Sequence, residues 1–297
     1  MVNIGVLLMA YGTPEKLEDV KLYLKDIFGG KEPPESVVAE VTKKYASIGR
    51  SPLKDITIRQ AELLEKELKT RGLDAEVRVG MRHWKPKLEE TAEQLSGRSA
   101  GTIIGMVAHP FRSEAGSEGY KKRFMAALKN DDRKFIDDWY RQPKLLDAWE
   151  EKINQKLRSL KDDGRDFYLI FASHGLPRSI NDKEYFGELE EFTEMTAKRL
   201  SIKDYCLAFQ NGEHRDWSEP EVSDKIRELS SSGFGKFLLV PIGYLSESLE
   251  TLYDIDIMYR SFSKEIGVRL ERVDCLDVSE KLIKAMADTI IDSVLQT

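Results

Sequence analysis

Leu169-Ile170-Phe171-Ala172-Ser173-His174-Gly175-Leu176-Pro177 is an apolar run that ends in two polar residues and a Gly-x-Pro turn. Near the start of the chain Leu7-Leu8-Met9-Ala10-Tyr11-Gly12-Thr13-Pro14 repeats its design. An apolar run without alternation describes a strand buried on both faces, the rule for parallel sheets covered by helices. Similar runs predict strands near Ile4–Met9, Ala75–Gly80, Thr102–Ala108, Phe167–Ala172, Tyr205–Phe209, Phe237–Pro241 and Arg269–Val273, with a weaker candidate at Lys134–Asp137. Charged stretches of helical period lie between them. They predict helices at Lys16–Ile27, Glu35–Tyr45, Ile56–Arg71, Lys87–Leu95, Gly119–Lys129, Lys144–Leu160, Tyr185–Leu200, Glu219–Ser230, Ser246–Phe262 and Val278–Leu295. Strands alternating with helices place the chain in the α/β class.

The echo between the halves goes further. The second strand of each is followed within several residues by Pro86 or Pro220, and the third strands end in His109-Pro110-Phe111-Arg112 and Pro241-Ile242-Gly243-Tyr244. This weak duplication predicts two similar doubly wound domains, residues 1–148 and 149–277. A hinge is expected near Asp147–Asp163, and the C-terminal helix 278–297 is expected to complete the first domain. Ligands of such sheets bind beyond the carboxyl ends of the strands. Tyr11, His83, His109, His174 and the run Ser246–Glu250 all fall there.

Composition narrows the partners. The 297 residues are 41% hydrophobic and 33% charged with a formal net charge of -6, which speaks against a nucleic-acid partner and suits a small or planar ligand. The two cysteines, Cys206 and Cys275, belong to no CxxC pair, so the spacings of a disulfide framework, a structural zinc site or an iron–sulfur cluster are missing. No apolar run approaches the roughly 18 residues of a membrane span. Met1–Met9 enters a strand directly with no basic leader, so a cytoplasmic location is expected.

His174 stands at a strand end, where an imidazole can bind a divalent metal or take a proton near neutral pH. By spacing alone, a histidine that merely bonds its turn fits as well. Glu250 and Asp254 lie one turn apart on one face of a predicted helix whose start the preceding apolar strand aims at the ligand end of the sheet. They read either as solvated acids at a helix start or as groups that accept protons and guide a cation. His83 beside Trp84 is a candidate lining residue, His109 a turn residue and His214 an exposed loop residue.

Ala172-Ser173-His174-Gly175-Leu176-Pro177 joined to Ser248-Leu249-Glu250-Thr251-Leu252-Tyr253-Asp254 resembles the ferrochelatases, whose patterns run S-x-H-G-L-P and H-x-E-T-L-x-E/D. Met9-Ala10-Tyr11-Gly12-Thr13-Pro14, Gly49-Arg50-Ser51-Pro52-Leu53 and Trp217-Ser218-Glu219-Pro220 extend the resemblance over nearly the whole chain. It implies the chelatase fold: two Rossmann- or flavodoxin-like domains whose sheets face a porphyrin cleft. It also implies Fe2+ insertion into a free-base porphyrin in haem biosynthesis, with no cofactor beyond substrate Fe2+. His174 and Glu250 match the family's catalytic and metal-site pair, and Asp254 the next acid on the metal or proton path. Family members often widen the helix at this place, in keeping with π-bulges at functional sites. Tyr11, Ser51 and Tyr120 match porphyrin-binding positions of the bacterial coproporphyrin-type members. Lys44 and Tyr45 fall in a propionate-contact region, where Arg50 is a further carboxylate partner. Transient contact with other haem-pathway proteins is also implied.

The chain departs from the pattern in places. Ser248 stands where the family often has His, Met258 where some members carry a third acid, and Phe28 and Gly29 where some carry basic residues. The rival readings are a cobalt or nickel chelatase acting on sirohydrochlorin, and a non-catalytic tetrapyrrole carrier or haem sensor. A second His near Ser248 would favour the first rival. The joint presence of His174 and Glu250 speaks against the second.

Overall fold

The computed structural model describes residues 4–97, 101–128, 132–160, 167–180, 182–211 and 216–295. His214, residues 129, 161–163 and 296–297 of the expected elements lie outside them. In chain order the elements begin β1 Ile4–Ala10, α1 Val20–Ile27, α2 Glu35–Ile48, α3 Leu53–Thr70, β2 Ala75–Met81, α4 Leu88–Ser96, β3 Ile103–Val107, α5 Ser117–Ala127 and β4 Arg133–Ile136. They continue α6 Pro143–Ser159, β5 Tyr168–His174, α7 Lys183–Leu200, β6 Tyr205–Gln210, α8 Val222–Ser231 and β7 Lys236–Val240. A π-helix Glu250–Tyr259 then leads into α9 Arg260–Glu265, β8 Arg269–Arg272 and α10 Glu280–Leu295.

Two four-stranded parallel sheets result, ordered β2-β1-β3-β4 and β6-β5-β7-β8. Shifting every strand number by four turns the first order into the second. Both follow the doubly wound pattern, in which the strand order reverses beside the first strand and opens a ligand crevice at its carboxyl end. β1 is buried along its whole length and β5 from Leu169 to Ser173, as the unbroken apolar runs require. In both halves the second strand leads to a cis X-Pro bond, Lys85-Pro86 or Glu219-Pro220. The proline carbonyl accepts from an amide near the strand end, Met81 at 2.7 Å or Phe209 at 2.8 Å.

The chain forms two compact units. The first comprises Met1–Pro110, Gly116–Trp139 and Asp277–Thr297, the second Phe111–Ala115 and Tyr140–Leu276. α10 belongs to the first unit, where Arg71 of α3 pairs with Asp288 and Gln60 donates to the Asp277 carbonyl at 2.7 Å. Tyr140, Pro143 and the whole of α6 belong to the second.

Two expected helices differ from the observed chain. Lys16–Ile27 begins as a 3-10 turn, Leu17–Asp19, before α1, the tighter winding common at helix starts. Ser246–Phe262 is not one α-helix. Ser246 and Ser248 precede it, Glu250–Tyr259 is wound as a π-helix, and only then does α9 follow.

The turn after β7 packs hard against the end of β5. Gly243 donates to the Ala172 carbonyl at 3.1 Å. A Cβ placed on Gly243 would lie 2.8 Å from the Cα of Ser173, closer than real side chains tolerate. Gly187 on α7 has open space around it. Gly243→Ala is therefore expected to cost about 1–3 kcal/mol through overpacking, whereas Gly187→Ala is expected to add about 0.4–1 kcal/mol by restricting the unfolded chain. Urea-unfolding midpoints of the two variants check this, and equal midpoints would contradict the packing described.

Candidate functional site

β5 ends by bringing His174 out of the core: Ser173 is fully buried and His174 is exposed. Its Nδ1 lies 2.6 Å from the Gly175 carbonyl. A carbonyl can only accept, so Nδ1 carries a proton and Nε2 is the ring atom left for another partner. The backbone beneath is braced by Tyr185, whose hydroxyl donates to the His174 carbonyl at 2.9 Å and sits 2.7 Å from the Ser173 hydroxyl. The Trp217 ring lies 5.3 Å from the imidazole. Ser218 clasps Leu176 from both sides, its hydroxyl accepting from the Leu176 amide at 2.9 Å and its own amide donating to the Leu176 carbonyl at 2.9 Å. Two segments far apart in sequence, Ser-His-Gly-Leu-Pro and Trp-Ser-Glu-Pro, thus form one structure around His174.

Glu250 opens the π-helix. Its Oε2 accepts from the Ser248 hydroxyl at 2.7 Å, so the serine that replaces the family's histidine serves to hold the glutamate. Its carbonyl accepts from the side-chain amide of Gln210 at 2.9 Å, and the same nitrogen donates to Asp254 Oδ2 at 3.1 Å. Gln210 ends β6 in direct register with His174. One amide side chain therefore bonds both Glu250 and Asp254 from the residue that pairs with His174 in the sheet. Met258 does not extend the acid line, for it packs against the core cluster of Ile170, Phe237 and Ile255. The Tyr244 hydroxyl is buried with no hydrogen-bond partner among the described residues. Burial and the neighbouring Glu250 push its pKa well above the ordinary tyrosine value, so it remains a donor.

The winding of this helix is tied from outside. Arg272 on β8 grips both Asp256 oxygens at 3.0 and 2.7 Å and reaches Glu247 at 2.7 Å. Thr251 donates to Glu247 at 2.6 Å, and Tyr259 donates to Glu221 at 2.6 Å. Burial alone would raise the Glu247 pKa, but Arg272 holds it below the usual carboxylate range.

In the first unit Tyr11 stands at the end of β1, 40% exposed, its ring 4.6 Å from that of His83. His83 is buried and its Nδ1 lies 2.9 Å from an Asp26 carboxylate oxygen, which likewise leaves the lone pair on Nε2. Burial pushes its pKa down to about 4 against the pull of Asp26. Lys87 also bonds Asp26. Tyr45 is buried, with its hydroxyl 3.0 Å from that of Thr13, and Tyr23 donates to the Gly12 carbonyl at 3.2 Å. Tyr45 thus braces the Tyr11–Thr13 turn from beneath. Tyr120 is buried under the Arg82 guanidinium, 5.2 Å from its ring, and burial raises its pKa. Lys44 pairs with Glu40 at 3.1 Å, and exposed Arg50 pairs with Asp55. Ser51 is buried, its hydroxyl accepting from the Leu53 amide at 3.4 Å at the start of α3. His109 sits half-buried in the bend after β3.

Gln210, Asp26 and Tyr244 were not singled out by sequence reading. A glutamine ending a strand and an aspartate inside a helix carry no spacing signal, and their importance lies in contacts across 40 or more residues.

The sequence matches the profile of the ferrochelatase family over residues 3–294. A coproporphyrin III ferrochelatase of Geobacillus sp. (strain WCH70) is 31% identical over 304 residues, covering 98% of this chain and 98% of the relative. One from Listeria monocytogenes serotype 4b (strain F2365) is 34% identical over 284 residues, covering 91% of each. Among solved structures, SirB from Bacillus subtilis with Fe3+ covers 98% of this chain and 95% of its own with a TM-score of 0.62. At 9% identity it is a likeness of fold alone. The fold is the chelatase fold, and with a family profile and relatives that span nearly its whole length, the chain belongs to the ferrochelatase family.

Proposed function

We propose that this protein inserts Fe2+ into coproporphyrin III, a step of haem biosynthesis, with His174, Glu250 and Asp254 as the residues that handle metal and protons. The observation that carries the reading is the chain-length match at 30–34% identity to relatives named coproporphyrin III ferrochelatase. Sirohydrochlorin chelatases share the fold at 8–9% identity, which lends the rival reading no chemical support.

Metal insertion replaces two inner N–H protons of the free-base ring by one Fe2+, so each turnover releases two protons. With Nδ1 bonded to the Gly175 carbonyl, His174 offers Nε2 as the atom to take a proton or to bind the cation in passing. Glu250, steered by Ser248, supplies negative charge beside the entering cation, and Asp254 extends that charge one turn along the helix. Fe2+ is substrate, and the reading requires no resident cofactor. Tyr11 is the exposed aromatic group proposed to meet the macrocycle in the first unit. Lys44 and Arg50 are proposed to receive propionates, each by exchanging its present carboxylate partner for one on the substrate. Tyr45, Ser51 and Tyr120 are buried, so they support such contacts from beneath the surface. No described helix is long and apolar enough to cross a membrane. A cytoplasmic location and transient contact with other haem-pathway proteins belong to the same proposal.

His174→Ala is expected to lower anaerobic Fe2+ insertion by about 10²–10⁴-fold, the usual contribution of a positioned acid–base group, with the circular-dichroism spectrum and porphyrin binding retained. Glu250→Gln is expected to lose more activity than Asp254→Asn. Near-normal turnover in His174→Ala would remove this residue from the mechanism.

Coproporphyrin carries four propionates and protoporphyrin two, and each charge-assisted hydrogen bond contributes about 1.5–3 kcal/mol. One such bond is worth about tenfold or more in an equilibrium. Steady-state turnover is therefore expected to give coproporphyrin III a kcat/KM at least about tenfold above that of protoporphyrin IX, and Lys44→Ala to narrow the gap. A protoporphyrin preference unaffected by that variant would overturn the substrate assignment alone.

A further inference from the structure

The amide that bonds two of the three proposed metal- and proton-handling residues, and whose backbone pairs with the third, belongs to none of the motifs that pointed to them. Gln210 is 2% exposed and closes β6. It is the parallel neighbour of His174 in the sheet, so the two side chains leave the same face. Its Nε2 donates to the carbonyl of Glu250 at 2.9 Å and to Asp254 Oδ2 at 3.1 Å. The orientation of the amide follows from its partners. Turning it over would set Oε1 against a carbonyl and a carboxylate, two groups that cannot donate.

The price of this arrangement lies on the other side of the same group, where Oε1 is buried with no hydrogen-bond partner among the described residues. An apolar side chain of the same length would avoid that orphaned acceptor, and buried unsatisfied groups in native folds call for a reason beyond packing. The reason on hand is geometric. Glu250 begins the π-helix and Asp254 lies one turn along it. One bond to the backbone of the first and one to the carboxylate of the second fix both the start of the helix and the rotamer of the outer acid, relative to the strand next to His174.

We propose that Gln210 is the positioning residue of this enzyme's metal path, setting where Glu250 and Asp254 stand with respect to His174. The inference rests on the roles proposed above for those three residues. Groups that orient metal-handling side chains typically cost about 10–100-fold in affinity or activity when removed.

The test is anaerobic steady-state kinetics of the full chain with Fe2+ and coproporphyrin III, comparing the unmodified enzyme, Gln210→Leu, Gln210→Glu and Glu250→Gln, with thermal melts of each. Gln210→Leu is expected to raise KM for Fe2+ or lower kcat by about tenfold or more, with KM for porphyrin unchanged. Gln210→Glu keeps the shape but turns a carboxylate toward Asp254 and the Glu250 carbonyl, so it is expected to be the worse of the two. Melting temperatures that fall while both folded variants keep normal KM for Fe2+ and normal kcat would make Gln210 a structural residue and overturn the inference. Normal insertion by Glu250→Gln would instead overturn the underlying reading of the acids, whatever Gln210→Leu does.

Discussion

The ion triad of Arg272 with Asp256 and Glu247 is the interaction on which the second unit's site depends. Arg272 is 8% exposed, so its charge and those of its partners are largely removed from water. Breaking such a group by removing one member costs about 3–5 kcal/mol, because the remaining charges stay buried without compensation. Its geometry matters more than its energy. Glu247 precedes the π-helix and also accepts from the Cys275 amide at 3.0 Å, while Asp256 lies within the helix. One guanidinium on the edge strand β8 therefore grips the chain on both sides of Glu250 and Asp254. A helix wound with i→i+5 bonds is rare in proteins and mostly confined to single turns, frequently at functional sites. Here Arg272, Glu247 and Glu221 bind it from outside at Asp256, Thr251 and Tyr259, and the carboxylates are held on the turns so tied.

The fold was legible in the sequence because a buried parallel strand has to be apolar without interruption. Leu7-Leu8-Met9 and Leu169-Ile170-Phe171 state that condition directly, and the strands they predict are the central first strands of the two sheets. His174 was legible for a related reason. It is the second of two polar residues that close an unbroken apolar run, so its position is visible without any contact being known. The irregular helix was legible only through the family resemblance, which implied a widened turn there, and not from the local pattern. Helical periodicity over Ser246–Phe262 is a statement about side-chain faces, and the difference between i→i+4 and i→i+5 winding is decided by contacts from Glu221, Arg272 and Gln210, which the local pattern does not contain. The proposed propionate contacts show the opposite failure. Ser51 and Tyr120 stand where the family resemblance puts binding residues, yet their side chains are used inside the first unit. Sequence position specifies a neighbourhood, and only packing specifies which atoms face outward.

The two histidines at strand ends solve the same chemical problem with different partners. An imidazole is useful as a base or ligand only when its tautomer is settled, and each ring settles it by spending Nδ1 on an acceptor. For His174 the acceptor is the carbonyl of the very next residue, a contact that needs only the tight Gly175 turn. For His83 it is Asp26, a carboxylate shared with Lys87. The local choice leaves His174 exposed and free of a fixed counter-charge on Nδ1. His83 lies buried in a charged network, and burial lowers its pKa to about 4 although Asp26 pulls the other way. Of the two, His174 is thus the ring whose Nε2 stands exposed at the strand end, while that of His83 lies within the buried network.

Fold and chemistry are set by different parts of the chain. The likeness to SirB spans both units at 9% identity, so the layers of strand and helix tolerate almost complete replacement provided that apolar runs and turns are kept. The ferrochelatase relatives retain about a third of their residues in common with this chain. In this structure the side-chain bonds that shape the site cluster at the strand ends: Ser218 on Leu176, Gln210 on Asp254, Ser248 on Glu250. The last pair shows how such a site changes without losing its shape. Where the family often places a histidine, Ser248 supplies a single hydroxyl, too weak a ligand to compete for a divalent cation with imidazole or carboxylate. It nonetheless donates to the same carboxylate that a neighbouring histidine could orient. In the proposed reading, metal handling therefore rests on His174 and the acids of the helix, and the residue two positions before Glu250 aims its carboxylate.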